Sequence, residues 1–328
     1  MPGAQERILR RRIGSVQNTK KITRAMELIA ATRVVKAQMA ANDARPYSEQ
    51  ITAVISNLAA GGTAVQHPLL REATEVRKVG IVVLTSDRGL AGAYNSTVIR
   101  AAEREILAAK AEGKDYSLVT VGKKAEGYFR FRNYNIDAAF SGMSDKPTYE
   151  NAREVAAKIT ELFNDDVDVI ELSYTQFITM GNQRAVVRRF LPLDTEDATE
   201  TSAVGPAAQF EFEPSPAAVL EALLPRYVES RLFAALLDAA ASEHANRQRA
   251  MKAATDNAQE LIIKLQRKMN QARQDTITTE IMEIISGAEA LSADKGSSED
   301  LLLDHLTSEM FPKLGSTGHT HTHTHSHL

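Results

Sequence analysis

The chain has 328 residues, of which 43% are hydrophobic and 25% are charged, and its formal net charge is -3. This composition is enough for one or two globular domains with apolar cores, and it excludes a chain that is disordered throughout. No run approaches the roughly 18 consecutive apolar residues that a bilayer crossing needs, and the lack of cysteine excludes disulfides, thiol catalysis and thiolate metal sites.

The first predicted element is a long helix. Between Gly14 and Pro46 there is neither Gly nor Pro, and apolar residues recur at helical spacing on both sides of Pro46. We predict one helix, bent at Pro46, over residues 4 to 60. The apolar positions that define its buried stripe are Leu9, Ile13, Val16, Ile22, Met26, Ile29, Ile51, Ile55 and Leu58.

The same segment is strongly basic. Residues 1 to 45 carry ten Lys or Arg against three Asp or Glu, a local balance of +7. A stretch of this kind binds nucleic acid, anionic lipid or an acidic protein surface, or is simply a solvated helix face.

Strands and helices alternate in the next segment. A β-branched run at residues 78 to 85 predicts a strand buried on both faces, and β-rich runs follow at 116–121, 167–180 and 185–191. Helical patterns lie between them at 95–112, 122–130 and 148–163. The alternation predicts a small, mainly parallel α/β domain.

A proline-rich stretch separates this domain from a second long helix. Five of the ten prolines fall between Pro192 and Pro225, which predicts a linker or domain edge. Residues 226 to 286 then contain neither Gly nor Pro. An unbroken helix of that length would be about 90 Å long at roughly 1.5 Å per residue.

The second long helix carries a heptad seam. We predict that it pairs with the first helix as an antiparallel coiled coil, with a homodimeric coiled coil or a helix lying on a globular core as alternatives. The seam residues are Ala258, Ile262, Leu265, Met269, Ala272 and Thr276, continued one residue out of phase by Ile277, Ile281, Ile284 and Ala288.

Two features are candidate sites for chemistry. The loop from Thr85 to Gly92 follows a buried strand and precedes a helix, where α/β proteins often bind phosphate, but it lacks both GxxxxGK[ST] and GxGxxG. A tight turn in which Asp87 and Arg88 pair or cap is the alternative. Five of the eight histidines alternate with Thr or Ser after Gly318, which is typical of a tag or a disordered tail. No catalytic motif is present, so we predict neither a cofactor nor a metal.

Four segments, in order along the chain, resemble the γ subunit of the rotary F-type ATP synthase. They are Ser15–Ala31 in the first helix, Thr85–Asn95 in the α/β domain, Ala241–Ala258 in the last helix, and Ile277–Ala288 near its end. The resemblance covers residues 1 to about 291 and implies a long antiparallel coiled coil of the N- and C-terminal helices with a central Rossmann-like α/β domain.

The resemblance also implies a function. Such a subunit is the central-stalk rotor that couples proton flow through the membrane c-ring to ATP synthesis on β by turning inside the ring of α and β subunits, and it is not itself catalytic. Its implied partners are α, β, ε and the c-ring, with no nucleic acid and no bound nucleotide. The implied place is the cytoplasmic face of the bacterial plasma membrane, as a peripheral protein, because no transit segment precedes the first helix.

Individual residues are carried over from the same resemblance. Contacts with the α/β ring are expected from Lys20, Lys21, Arg24, Met26, Arg33, Lys36, Arg247, Arg273, Gln274, Thr278 and Glu280. Contacts with the c-ring are expected from a foot that contains Phe210 and Glu213. Asn246, Gln248 and Arg249 depart from the family pattern of small or apolar residues and add a charge to that turn.

The expected domain boundaries follow. They are an N-terminal helix at 1–60, a linker at 61–77, the α/β domain at 78–191, a linker and foot at 192–216, a C-terminal helix at 217–291 and a tail at 292–328. Two rival functions remain open at this point: a Rossmann-type nucleotide-binding enzyme that dimerises through its helices, and a basic coiled-coil binder of nucleic acid.

Overall fold

The computed structural model describes residues 4–60, 67–71, 73–193, 213 and 215–294. The chain divides into two compact units. The larger runs from Ser15 to Ile262 and contains the α/β domain. The described part of the smaller unit consists of residues 4–14 and 263–294, which are helical.

The centre of the larger unit is a five-stranded sheet with the order β3-β2-β1-β4-β5. β1 pairs in parallel with both β2 and β4, β2 pairs in parallel with β3, and β5 is antiparallel to β4. The prediction of a mainly parallel sheet is confirmed. The strands are β1 (Lys78–Leu84), β2 (Asp115–Val121), β3 (Ala138–Phe140), β4 (Val169–Phe177) and β5 (Gln183–Leu191).

Long helices flank this domain in sequence, and shorter helices alternate with its strands. α4 begins with a capping box in which the Thr148 side chain accepts from the Asn151 backbone and the Asn151 side chain accepts from the Thr148 backbone. A 3-10 turn lies at Pro68–Leu70. The α-helices are α1 (Ala4–Ala60), α2 (Tyr94–Ala111), α3 (Lys123–Phe131), α4 (Tyr149–Asp165) and α5 (Pro216–Asp294).

Both faces of the sheet are covered. Val79, Ile81 and Val83 pack in a cluster with side chains of α2 and α3. Val82 and Leu84 point the other way, into a cluster that includes α4 and the first half of α5. Successive residues of a strand point to opposite faces, so burial on both sides explains why β1 is apolar throughout instead of alternating.

α5 begins within the proline-rich stretch that is predicted as a linker or domain edge. The helix starts at residue 216, one residue before the expected boundary at 217. Pro216 is the first residue of the helix, where the missing N–H would be unpaired in any case. Pro225 lies inside the helix, and its neighbours Leu224 and Tyr227 are buried in the core, so tertiary packing offsets the lost backbone hydrogen bond.

Candidate functional site

α1 and α5 form an antiparallel pair within the larger unit. The Lys20 ammonium donates a hydrogen bond of 2.6 Å to the side-chain oxygen of Gln259, and the hydroxyls of Thr23 and Thr255 lie 2.8 Å apart. Residue numbers rise along α1 as those of their partners fall along α5. The predicted antiparallel pairing is therefore present.

The predicted stripe of α1 is confirmed at Ile13, Ile51 and Ile55, which are buried, but it is wrong at Ile22 and Ile29. Ile22 and Ile29 are 62% and 52% exposed, whereas Thr23, Glu27 and Ala30 are buried. In this stretch the predicted stripe is displaced by one residue from the observed one, because the pattern counted apolar residues only. The true heptad positions hold a threonine that bonds to Thr255 across the pair and a glutamate that pairs with Arg24 of its own helix.

The seam of α5 is confirmed in its first part and wrong in its last. Ala258, Ile262 and Leu265 are buried, and burial then decreases until the residues from 277 to 292 are all exposed. In the smaller unit α1 supplies residues 4–14, which at roughly 1.5 Å per residue cover only about a third of residues 263–294. The exposed continuation of the predicted seam consists of Ile277, Ile281, Ile284 and Ala288.

The contact residues predicted on α1 differ in their surroundings. Lys21 and Lys36 are exposed, and Met26 is half buried in a small cavity lined by α1, α5 and the loop after β1. Lys20 bonds across the helix pair, and Arg24 forms an ion pair of 2.7 Å with a glutamate of its own helix. Of these five residues, Lys21 and Lys36 are thus exposed and form no hydrogen bond with the described part of the chain.

The sixth, Arg33, lies at a polar cluster where α1, the α/β domain and α5 meet. Its guanidinium forms an ion pair with the Asp145 carboxylate, in the loop before α4. The backbone carbonyl of Asp145 lies 3.1 Å from Nε2 of His244 on α5. We call Arg33, Asp145, Glu243, His244 and Arg247 the junction cluster.

Arg247 is expected on a contact surface, but its side chain is buried in the junction cluster. It donates hydrogen bonds to Glu243 (2.6 Å) and to the carbonyl of Gly89 (3.3 Å). Its Nη1 also lies 3.3 Å from Nδ1 of His244. Because a guanidinium only donates, Nδ1 accepts, and the ring proton is on Nε2, where it is donated to Asp145.

Burial shifts the pKa values of two side chains in this cluster. It lowers the pKa of His244, in keeping with the neutral ring that the hydrogen bonds require. Burial also raises the pKa of Glu243, although the Arg247 guanidinium acts in the opposite direction. Arg247 thus contacts Glu243, His244 and the loop after β1 at the same time and holds α5 against that loop.

The junction cluster also contains the one group of described side chains with metal-ligand geometry. Ligand atoms of Asp145, Glu243 and His244 lie within 4.8 Å of one another. Arg33 and Arg247 already pair with the two carboxylates, however, and Nε2 of His244 carries a proton that it donates. A cation would have to displace all three interactions, so these residues fit an ion-pair network better than a metal site.

The loop after β1 is occupied by internal hydrogen bonds. The Asp87 carboxylate accepts from the backbone N–H groups of Lys123 (3.2 Å), Gly142 (2.9 Å) and Ser144 (3.3 Å). Burial acts to raise the pKa of Asp87, but these donors outweigh it and lower the pKa. Asp87 thus caps α3, as the tight-turn interpretation of this loop predicts.

Two amides that could cradle a phosphate are already engaged. The Ser86 N–H donates to the Asn95 side chain (2.9 Å), and the Asp87 N–H donates to the Ser144 hydroxyl (3.0 Å). Gly122, in the loop after β2, lies close to Thr85 at the end of β1. A Cβ at position 122 would lie 2.2 Å from the Thr85 carbonyl oxygen, and the φ of Gly122 is +102°, so only glycine fits there. This geometry closes the end of β1 where a nucleotide would bind.

The departures from the family pattern on α5 have a structural role. Asn246 and Arg249 both bond to the Gln183 side chain at the start of β5, Asn246 at 3.3 Å, and Arg249 also reaches the Gly181 carbonyl at 3.5 Å. These two polar residues fasten the β4–β5 turn to α5.

The remaining predicted contacts lie in the smaller unit and the foot. Arg273, Gln274, Thr278 and Glu280 are exposed on α5 beside the exposed isoleucines of the same segment. Glu213 is exposed, whereas Phe210 and the histidines after Gly318 lie outside the described residues. Within the described ranges, no helix combines the length and apolarity that a membrane crossing requires.

The comparisons with known proteins agree with this architecture. A family model described as ATP synthase matches residues 5–291. The ATP synthase gamma chain of Frankia casuarinae is 50% identical over 294 residues, covering 88% of this chain and 98% of the relative. That of Thermobifida fusca is 46% identical over 305 residues, covering 90% of this chain and 100% of the relative.

Solved structures share the fold. A chain of the Euglena gracilis mitochondrial ATP synthase, from an OSCP/F1/c-ring structure, has a TM-score of 0.62 at 16% identity and covers 90% of this chain and 97% of its own. A chain from the central stalk and c-ring of the Tetrahymena thermophila enzyme has a TM-score of 0.56 at 21% identity, covering 71% and 99%. The extent of the sequence matches decides the assignment, and the chain belongs to the ATP synthase gamma chain family.

Proposed function

We propose that the chain is the central-stalk rotor subunit of an F-type ATP synthase. It couples proton flow through a membrane c-ring to ATP synthesis on the β subunits by turning inside the α/β ring, together with ε. The observation that carries the proposal is the likeness to gamma chains over nearly their whole length. The paired helices α1 and α5 supply the shaft that such a role needs.

The chain itself does not hydrolyse ATP in this proposal. The β1 loop uses its Asp87 carboxylate and the Ser86 and Asp87 amides for internal hydrogen bonds, which argues against the rival nucleotide enzyme. The most basic segment, α1, has Lys20, Arg24 and Arg33 engaged within the chain, so it is less suited to the phosphates of nucleic acid than its net charge indicates.

Contacts with the α/β ring are proposed at exposed positions on both helices. Lys21, Arg24 and Lys36 suit an acidic lever on β, while Arg33 and Arg247 support the shaft from within. Toward the end of α5 the proposed contacts are Arg273, Gln274, Thr278 and Glu280, and in the foot Phe210 and Glu213 are proposed to face the c-ring.

The proposed location is peripheral, at the cytoplasmic face of a bacterial plasma membrane. The proposed domains are the two shaft helices at 1–60 and 217–291, the α/β domain at 78–191, and the linkers and tail between and after them. The related gamma chains of Frankia casuarinae and Thermobifida fusca are bacterial, which supports this location.

Reconstitution tests the function. The purified chain is added to α and β subunits, and ATP hydrolysis and rotation of a probe on the chain are recorded, with the chain alone as control. We expect rotation only in the assembled complex and no turnover by the chain alone. Turnover by the chain alone, or an α/β assembly in which the chain does not rotate, would contradict the proposal.

A further inference from the structure

The two shaft helices are attached to the α/β domain in different ways. α5 packs along the domain through its own apolar residues, from Leu220 to Ala239, which belong to the main core. Above this core the Ser242 hydroxyl donates to the Thr175 carbonyl at the end of β4 (3.2 Å). α5 is therefore held over several successive turns.

α1 has a less continuous attachment. Ile51 and Ile55 are buried in the same core, at 5% and 3% exposure. Residues 38 to 48 line an open cleft of about 1050 Å³, whose other walls are α5, Tyr149 of α4 and the end of β4. Within this span the Tyr47 and Tyr149 side chains form a hydrogen bond. Pro46, which removes one backbone hydrogen bond from the helix, lies in this span.

The next attachment of α1 is the ion pair between Arg33 and Asp145. The two side chains are 39% and 28% exposed, so the pair is partly shielded from water. The segment of α1 beside the cleft is thus held at both ends, by the apolar core at Ile51 and by Asp145 at Arg33.

Asp145 is itself rigidly placed. The loop that carries it is tied to Asp87, whose carboxylate accepts from the Ser144 N–H (3.3 Å) and whose N–H donates to the Ser144 hydroxyl (3.0 Å). Its backbone carbonyl accepts from His244, a side chain that is 1% exposed. One residue of the α/β domain therefore bonds to both helices of the shaft.

We propose that Asp145 is a positioning residue that passes turning force from the α/β domain to α1 and α5 at the same level of the shaft. Two helices loaded together resist twisting better than one helix that loads the other only across the seam. Without the carboxylate, α1 would lose its ion pair to the α/β domain at this level and would keep its contacts at Tyr47 and Ile51. This inference rests on the proposed rotor function and names a residue through which it acts.

The test measures the torsional stiffness of the assembled complex. The α/β ring is fixed to a surface, and a bead is attached through Ala111→Cys, an exposed position in a chain that has no other cysteine. With rotation stalled, the mean-square angular fluctuation of the bead reports stiffness. Asp145→Asn removes the charge that pairs with Arg33 but keeps the backbone carbonyl that pairs with His244.

We expect Asp145→Asn to roughly double the mean-square angle, because packed elements transmit strain and α1 loses one of its attachments to the α/β domain. Arg33→Gln removes the same ion pair from the other side and should give the same change. The matched control is Glu126→Gln, which removes a partly exposed ion pair with Arg130 within α3 that links no helix of the shaft.

Each other outcome has a defined meaning. An Asp145→Asn complex that is as stiff as the wild type overturns the inference. A change seen with Arg33→Gln alone also overturns it, because Arg33 would then act through a partner other than Asp145. Failure of Asp145→Asn to assemble would show a folding role and would also overturn it. If the wild-type bead does not rotate with ATP, the proposed function fails instead.

Discussion

The buried threonines of the shaft allow a sharp test of the observed seam. Thr23 donates to the Lys20 carbonyl (3.1 Å), Thr255 donates to the Met251 carbonyl (2.9 Å), and the two hydroxyls lie 2.8 Å apart. Each hydroxyl has a single proton, so the two residues can donate only two of these three hydrogen bonds at a time.

This count predicts non-additive substitutions. Thr23→Val or Thr255→Val removes the bond between the helices but leaves the other hydroxyl with its own carbonyl acceptor, at a cost of about 0.5–1 kcal/mol. Changing both replaces a polar pair by an apolar pair of the same shape, and the double variant should lie within about 0.5 kcal/mol of the wild type. Valine is β-branched like threonine, so helix propensity changes little.

Urea unfolding of the full chain, followed by its helical circular dichroism, measures all three free energies. Thr19→Val is the matched control, because Thr19 is exposed and its hydroxyl bonds only to the Ser15 carbonyl of its own helix. The reasoning is refuted if the double variant loses as much stability as the two single variants added together, since the hydroxyls would then be independent.

Four further predictions concern single positions. Asp87→Asn should destabilise the chain by about 1–2 kcal/mol near neutral pH and remove an acid-induced loss of stability. The depressed pKa of Asp87 contributes stability that is present above the pKa of the unfolded state and is lost as pH falls through the pKa of the folded state. Urea unfolding from pH 2 to 7 measures this dependence. Asp238 has the opposite sign, because burial raises its pKa to about 6. The free energy of unfolding therefore falls as pH rises from the ordinary pKa of aspartate to about 6. Asp238→Asn should flatten that slope and add about 1–2 kcal/mol of stability above that pH range in the same titration. In the smaller unit, Leu265→Asp should cost several kcal/mol of stability, because Leu265 is 5% exposed. Lys268→Asp, at an exposed position, should change stability by less than about 0.5 kcal/mol. Equal losses of melting temperature in the two variants would contradict the seam. A chain that ends at Leu291, the last residue of the family match and 71% exposed, should assemble and pump protons with ATP as the full chain does, and a collapse of pumping in an intact complex would assign a function to the removed segment.

The α/β domain could be predicted because its signals are local. The run from Lys78 to Leu84 is apolar on both faces, and only a strand covered on both sides tolerates that composition in so short a stretch. β3 was not predicted because its three residues, Ala138 to Phe140, are too few to show a periodic pattern. Pro225 is tolerated inside α5 because the buried Leu224 and Tyr227 beside it hold the helix, which a count of prolines does not report.

The candidate site was harder to predict because its residues act at a distance in sequence. Asp145 lies in a loop that shows no periodicity, and only the fold brings it to Arg33 and His244. Arg247 looks like a surface cation in a polar stretch of helix, yet it is buried, since Glu243 one turn earlier and the Gly89 carbonyl compensate its charge. Burial of charge depends on such partners, which a heptad pattern does not report.

The displacement of the α1 seam by one residue also changes the outer surface of the shaft. Placing Thr23 and Glu27 inward turns Ile22 and Ile29 outward, next to the exposed Lys21. Exposed apolar side chains usually mark a binding surface when they form a patch, and here they are interrupted by charge. An apolar contact of this size with a surrounding ring would bury little area, and a charged contact would be screened by salt, so both could form and break as the shaft turns. A continuous apolar stripe on the same face would bind one position of the ring strongly and resist release from it. An inward polar seam with an outward mixed surface is therefore the arrangement that the proposed rotation favours.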